Sequence, residues 1–446
     1  MKERQLQNFA KRLGSSLSSH QIIQGFSIDS RKIKEGEIFF ALKGAKVDGH
    51  DFLKEVAAKK ALAAVVSKHF HGSAEGLPLI LVDDVLETMR ELAREEFARH
   101  GKKIAIAVTG SVGKTTTKEF IAALLAKRFK VGKTPGSCNS QATLPLSILN
   151  FEGDEEVLVL EMGMSRHKEI ERLVQIAPPD IALINKIALA HAAFFPGGKE
   201  EIARAKSEIL SQPQTKLAIM HQQTAQFKAI KEIPCNKLCF SLEPGADYSL
   251  FQKEGKWTVV EKGIPSPLFT LPFQESHLCE NFVGAVVVAR SLGMSWEEIY
   301  TGAAELKPFS KRFEKVEKGN VLFINDSYNA NPESMQAALS NLPLPKKGRK
   351  TIAVLGEMRE LGVFSKQCHQ EIGKYALKAA DEVLCFGKEC LPIFELFKEV
   401  GRPAEITEDF AELYKCLYQK IQPGDVVLIK GSNSLQLWRL LDEESK

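Results

Sequence analysis

Thr109-Gly110-Ser111-Val112-Gly113-Lys114-Thr115-Thr116 is the segment of this 446-residue chain with the clearest capacity for chemistry. The apolar run from Lys103 to Val108 reads as a buried strand leading into it, and Gly-Lys-Thr opens a helical stretch that continues to about Lys127. In such a turn the backbone N–H groups and the helix N-terminus converge on phosphate oxygens. The lysine reaches the terminal phosphates, and the Thr115 hydroxyl can take a Mg²⁺ position. The longer phosphate-loop pattern requires glycine five positions before Gly113, where Val108 stands, so that strict form fails by one position. A chance Gly-Lys-Thr at a turn is the alternative; the strand before it and the helix after it favour nucleotide binding.

Other groups could join this turn. Val157 to Leu160 reads as a buried strand ending in Glu161, and a carboxylate at that end of a parallel strand can hold Mg²⁺ directly or through water. By residue type alone Glu161 is either a metal ligand or a strand-end charge. His191 follows the apolar run Asp180 to Asn185, and Lys206 lies on a helical stretch fifteen positions later. A lone histidine is usually structural and a helical lysine usually faces solvent, so both stay open on that basis. Asn325-Asp326-Ser327-Tyr328-Asn329-Ala330-Asn331-Pro332 places a polar turn between a strand and a helix, with Asn331 as cap and Pro332 at the first helical position. Ser30-Arg31 and Asp48-Gly49 read locally as ordinary turns.

Positioning these groups requires an α/β architecture. Short Val/Ile/Leu/Phe runs alternate with longer helical stretches, as in domains built on mostly parallel sheets. At roughly 100–200 residues per domain the length predicts about three domains, with expected limits 1–84, 85–307 and 308–446. The first carries strands at 37–42, 63–66 and 79–82, with a helix from Phe52 to Lys60. A charged helix from Leu86 to His100 precedes the second, whose strands are 103–108, 157–160, 180–185 and 216–220. Cys235 to Phe273 reads as a small antiparallel insertion, followed by a helix from Glu280 to Leu292. The third starts near Pro308, with strands 321–325, 351–355, 382–386 and 425–429.

Composition excludes several function classes. Apolar residues make up 44% and charged residues 26%, an ordinary globular balance. The net charge of +4 is spread without a basic tail, so charge does not point to nucleic acid or a membrane surface. No apolar stretch reaches about eighteen residues, and Met1-Lys2-Glu3-Arg4-Gln5 has no apolar leader core behind it, so export is not expected. Eight cysteines without a Cys-x-x-Cys pair disfavour a disulfide framework or a zinc site and suit reduced thiols in cytoplasm.

Taken together, the motifs resemble the ATP-dependent Mur ligase family along essentially the whole chain. Thr109 to Thr116 is similar to that family's shorter phosphate loop, which also lacks the distal glycine. Thr134-Pro135-Gly136-Ser137-Cys138-Asn139-Ser140 is similar to its Thr-x-Gly-Asn-x-Asn-Asn segment, with Ser137 and Ser140 replacing two asparagines. The Asp326-to-Pro332 string resembles the branch that adds D-alanyl-D-alanine, and the Asp-Asn-Pro-Arg signature of the diamino-acid-adding branch is absent. The resemblance implies three domains: a small α/β domain for a UDP-muramoyl precursor, a central P-loop ATPase domain with a parallel sheet, and a C-terminal Rossmann-like α/β ligase domain. It implies joining UDP-N-acetylmuramoyl-tripeptide to D-alanyl-D-alanine through an acyl phosphate, for peptidoglycan precursor synthesis, by a cytoplasmic monomer without nucleic-acid or membrane partners.

The resemblance also implies site residues. Gly110, Ser111, Val112, Gly113, Lys114, Thr115 and Thr116 would hold ATP phosphates, with Asn281 toward adenine, Arg312 toward phosphate, and Asp326, Tyr328, Asn329 and Asn331 completing the nucleotide site. Two Mg²⁺ ions would be held, one by Thr115 and Glu161, the other by Glu161, His191 and a carbamate on Lys206. Lys114, Glu161, His191 and Lys206 form the catalytic set, and Ser30, Arg31, Gly44, Asp48 and Asn139 are expected toward the UDP precursor. Leu278 replaces an adenine-side asparagine, and Asn433 stands where the family usually has arginine.

Overall fold

The computed structural model describes residues 5–44, 46–99, 101, 103–307 and 309–442. The expected helix end at His100, the domain start at Pro308 and the residues Met1–Arg4 lie outside them. Three sheets carry the fold. The first is four-stranded and parallel, in the order β1 (Gly25–Ser27), β2 (Glu37–Phe40), β3 (Ala63–Ser67), β4 (Leu79–Val82).

The central sheet comprises β5 (Ile104–Thr109), β6 (Val131–Lys133), β7 (Val157–Glu161), β8 (Ile181–Ile184), β9 (Leu217–His221), β10 (Asn236–Ser241), β11 (Tyr248–Lys253), β12 (Lys256–Glu261) and β13 (Ile264–Pro265). Its order is β13-β12-β11-β10-β9-β8-β5-β7-β6. The segment Cys235–Phe273 is therefore not a separate antiparallel insertion. β10 and β11 continue the parallel sheet beyond β9, and only β12 and β13 run antiparallel. The reversal is a two-residue hairpin at Glu254-Gly255, both with positive φ (53° and 74°), the backbone that suits the twist of paired strands.

The third sheet comprises β14 (Glu314–Lys318), β15 (Val321–Asn325), β16 (Thr351–Gly356), β17 (Glu382–Phe386), β18 (Ala404–Thr407) and β19 (Val426–Lys430), in the order β14-β15-β19-β16-β17-β18. Only β14 is antiparallel to its neighbour.

Period-two alternation sends successive strand residues to opposite faces. Ile106, Val108, Val157, Val159, Ile181 and Leu183 pack with the helices Lys114–Leu125 and Ser276–Ser291 on one face of the central sheet. Ala107, Leu158, Leu160, Ala182 and Ile184 face the other way. That second core does not stop at the central sheet. It runs through Met89, Leu92 and Ala93 of the helix Val85–Arg99 into Phe40, Val65 and Ile80 of the first sheet, so the two sheets share one apolar interior.

Candidate active site

The central order places β5 between β7 and β8, so the chain leaves β5 at a topological switch point, where open α/β sheets leave a crevice at their strand C-termini. The third sheet turns the C-terminal ends of β15, β16 and β19 toward the same place. Between the two sets of strand ends lies a cavity of about 1190 Å³, lined from one side by Ser111–Thr116, Glu161 and Asn185 and from the other by Asp326, Tyr328, Arg359, Glu360 and Lys430.

The phosphate turn is short because Val108 is fully buried within β5, leaving Gly110 as the first loop residue. Gly113, at φ +80°, has no room for a side chain: a Cβ would meet Asn281 Oδ1 at 2.3 Å and Asn185 Nδ2 at 2.7 Å. Asn185 Nδ2 donates to Thr117 Oγ1 (2.9 Å), and Thr117 donates to Asn281 Oδ1 (3.2 Å), which ties the helix after the turn to Ser276–Ser291. Lys114 folds back to donate to Gly110 O at 2.9 Å.

Thr115 and Glu161 meet directly, the hydroxyl donating to Glu161 Oε2 at 2.8 Å. Asn139 Nδ2 donates to Glu161 Oε1 (2.7 Å), fixing the other oxygen. Lys118, which the sequence reading passed over, is fully buried behind them, donating to Thr134 O (2.6 Å) and to Gly136 O, with Glu161 Oε2 3.8 Å away. It organises the segment that carries Asn139. Its place in the Gly-Lys-Thr-Thr-Thr-Lys run was the available signal.

Arg312 reaches across from the third domain: Nη2 donates to Thr115 Oγ1 at 2.8 Å, and the guanidinium lies 4.1 Å from the Tyr328 ring centroid. The Tyr328 hydroxyl touches Ser137, so a hydroxyl stands in place of one expected amide. Asp326 accepts from Lys430 Nζ at 2.6 Å and from the Phe313 N–H at 3.1 Å. Asn331 is the helix cap read from the sequence; its Oδ1 accepts the Ser334 N–H (2.9 Å) ahead of Pro332. Asn329 Oδ1 accepts the Ala330 N–H at 2.9 Å. His277 lines the cavity with its Nδ1 buried and unpartnered among the described residues, and burial holds its pKa below the ordinary histidine value.

His191 also lines the cavity, its Nδ1 touching the Glu360 carboxylate of the third domain. Both residues sit in left-handed backbone (φ 58° and 63°), a conformation held only where surrounding structure imposes it. Lys206 is 2% exposed, and its side-chain amine makes no hydrogen bond among the described residues. Burial lowers its pKa well below the ordinary lysine value, and the neighbouring Lys114 ammonium lowers it further. Lys114 is shifted the same way by burial, against the pull of Glu161.

The first-domain candidates do not line this cavity. Ser30 donates to Glu55 Oε2 (3.0 Å), and Arg31 is exposed and forks onto Asp29 at 2.9 Å through both Nε and Nη2. Gly44 closes a turn to Val47 O (2.8 Å), and Asp48 accepts the His50 N–H at 3.0 Å. Asn139 stands with Glu161, apart from these four.

Comparison with known proteins identifies the family. Three family models match: "Mur ligase family, catalytic domain" over 22–97, "Mur ligase middle domain" over 108–289 and "Mur ligase, glutamate ligase domain" over 311–433. The UDP-N-acetylmuramoyl-tripeptide--D-alanyl-D-alanine ligase of Bacillus subtilis is 31% identical, with 99% of this chain and 98% of the relative aligned. The chain belongs to the Mur ligase family. The Escherichia coli enzyme of the same description is also 31% identical, over 92% of this chain and 91% of that one. A crystal structure of MurF ligase from Thermotoga maritima in complex with ADP superimposes with a TM-score of 0.78 at 32% identity, covering 95% of this chain and 97% of that one. In this Mur ligase the cavity between the central and third sheets is lined by residues of the matched middle and glutamate ligase domains, and no helix among the described residues is long and apolar enough to cross a membrane.

Proposed function

We propose that this chain is the ligase that joins D-alanyl-D-alanine to UDP-N-acetylmuramoyl-tripeptide, using ATP and releasing ADP and phosphate, as a cytoplasmic monomer of three domains (1–84, 85–307 and 308–446). The observation that carries the reading is the facing of Lys114, Thr115 and Glu161 by Arg312, Asp326 and Tyr328 across one cavity, in a chain aligned along nearly its whole length with ligases of that description.

A carboxylate is a poor acylating agent because its oxygen is a poor leaving group, and phosphorylation removes that obstacle. Backbone N–H groups of the turn from Gly110 to Thr116 and the Lys114 ammonium bind the ATP phosphates, with Asn281 on the adenine side. Arg312, beside Thr115, adds positive charge where the equatorial oxygens of the moving phosphoryl group gain negative charge. The γ-phosphoryl group passes to the terminal carboxylate of the tripeptide, leaving ADP. The amine of the dipeptide then attacks the acyl carbon and loses a proton, and the tetrahedral intermediate expels phosphate. The third sheet, closing over the phosphate turn, keeps water from the acyl phosphate.

The donor set fits Mg²⁺. Thr115 and Glu161 present hydroxyl and carboxylate oxygens 2.8 Å apart, which suit a hard cation. Glu161, His191 and a carbamate on Lys206 would hold a second ion, the buried, unpartnered Lys206 amine being suited to lose its proton and accept CO₂. Bound there, the ions supply positive charge to the transferring phosphoryl group. Ser30, Arg31, Gly44 and Asp48 are assigned to the uridine diphosphate end, outside the cavity.

Phosphate release, measured with each substrate omitted in turn, tests the reading. Release that requires ATP, UDP-N-acetylmuramoyl-tripeptide and D-alanyl-D-alanine together is expected. Release indifferent to both acceptor substrates would fit a nucleotide switch instead.

A further inference from the structure

Of the side chains assigned to the two ions, Thr115 and Glu161 hold each other within the central domain, and Asn139 fixes the second carboxylate oxygen. Lys206 is enclosed there. His191 differs. Its ring is partly exposed, and among the described residues no central-domain group bonds either ring nitrogen. Nδ1 meets the Glu360 carboxylate of the third domain, and that carboxylate bonds no other side chain among the described residues. Nε2 is left without a hydrogen-bond partner, on a ring that lines the cavity.

The contact is built from both sides. Around His191, the Ala193 N–H donates to Glu360 O at 2.9 Å, and Leu189 and Ala192 pack into the third-domain core. Gly362 passes so close that a Cβ there would lie 3.0 Å from Ala193 Cα. On the third-domain side, the loop after β16 is pinned before it reaches Glu360. The Met358 N–H donates to Nε2 of the fully buried His369 (3.0 Å), whose Nδ1 donates to Ser365 O (2.9 Å), and the Arg359 N–H donates to Ser432 Oγ (2.8 Å). The carboxylate therefore arrives on a fixed carrier.

We propose that Glu360 is a positioning residue: by accepting the His191 Nδ1 proton in a hydrogen bond it leaves the Nε2 lone pair for the second cation, so that this ion's site is complete only with the third domain seated. The proposal rests on the two-ion reading above. An imidazole binds a cation through its unprotonated nitrogen, and an acceptor on the other nitrogen fixes both the tautomer and the ring plane. Without Glu360 the partly exposed ring can turn about its Cβ–Cγ bond and carry its proton on either nitrogen. The central domain by itself would then hold this ion weakly.

Mn²⁺ binding followed by electron paramagnetic resonance, with ADP and bicarbonate present, tests this without turnover. Wild type should bind two ions. Glu360→Ala should weaken the second by about 10–100-fold, while the first ion and ADP stay within about twofold. Glu360→Gln, whose carboxamide oxygen still accepts from Nδ1, should recover part of the loss. Lys199→Ala removes a separate interdomain pair, Lys199–Glu333 at 2.7 Å, and should leave both ions within about twofold. Equal second-ion affinity in wild type and Glu360→Ala overturns the assignment. So does a Lys199→Ala loss as large as that of Glu360→Ala, which would trace the effect to domain docking rather than to the ring. Wild type that binds one Mn²⁺ overturns the two-ion reading and the proposal with it, a result distinct from both.

Discussion

At the scale of single residues, Lys206 and Glu155 show opposite uses of burial. Lys206 is an amine stripped of water beside another ammonium, and both effects favour its neutral form. Lys206→Ala should lower turnover by at least about 10²-fold, the scale of a lost metal ligand, and added acetate or formate should restore part of it. Steady-state phosphate release across an acetate titration measures this; no response at any concentration would remove the carbamate. Glu155 is 6% exposed yet charged. Burial works to raise its pKa, but Lys103 Nζ (2.9 Å) and the N–H groups of Glu152 (2.7 Å) and Gly153 (2.9 Å) outweigh it and hold the value at about 2. A depressed carboxyl pKa stabilises above the unfolded value, about 4.3, and its contribution disappears as pH falls through about 2. Glu155→Gln should therefore cost about 2–3 kcal/mol near neutral pH, and urea titrations at decreasing pH should show the gap to wild type closing only in that acid range. How legible these residues were in the sequence depended on distance along the chain. Lys114 and its loop could be read because strand, turn and helix are contiguous. The Arg312–Thr115 and Arg359–Ser434 bonds join positions 197 and 75 apart, and no local pattern encodes them.

At the scale of elements, the buried strands were the easiest to read. β15 and β17 run 321–325 and 382–386, as their apolar runs indicate. β14, Glu-Lys-Val-Glu-Lys, escaped because an edge strand with one apolar residue carries no burial signal. Cys235–Phe273 was misread because its hairpin was visible while the parallel pairing of β10 to β9 was not. The phosphate turn is the element with the least freedom. Gly113→Ala combines positive φ with a Cβ about 2.3 Å from Asn281 Oδ1; it should cost about 1–2 kcal/mol in stability and weaken nucleotide binding at least about tenfold. Calorimetric titration with ADP, alongside a thermal melt, checks both. Unchanged affinity would mean that the turn relaxes without touching Asn281.

For the whole molecule, the two seams differ in kind. The first and central sheets are joined through one apolar interior centred on Val85–Arg99, whereas the third domain is met mostly by polar contacts, Arg312–Thr115, Ser137–Tyr328, His191–Glu360 and Lys199–Glu333 among them, with Leu189 and Ala192 packing into its core. Polar seams permit domain motion more readily than apolar ones. Hydrogen exchange should accordingly show the first sheet protected in step with the central one, while the third exchanges as its own unit. A fragment beginning at Val85 should aggregate, since it would expose the apolar side of that helix. If it proves soluble and monomeric, the two interiors are separable after all.

The fused interior has a consequence for how such enzymes can be recombined. The third domain meets the central one mainly through polar side chains that can be re-paired one at a time, with Leu189 and Ala192 as the apolar contacts to be matched, so it could be traded between related ligases with fewer adjustments. A transplanted first domain would have to carry the helix Val85–Arg99 and match the apolar side chains of Thr143–Leu149 against which it packs. Lineages of these proteins should therefore have inherited the first two units as a pair.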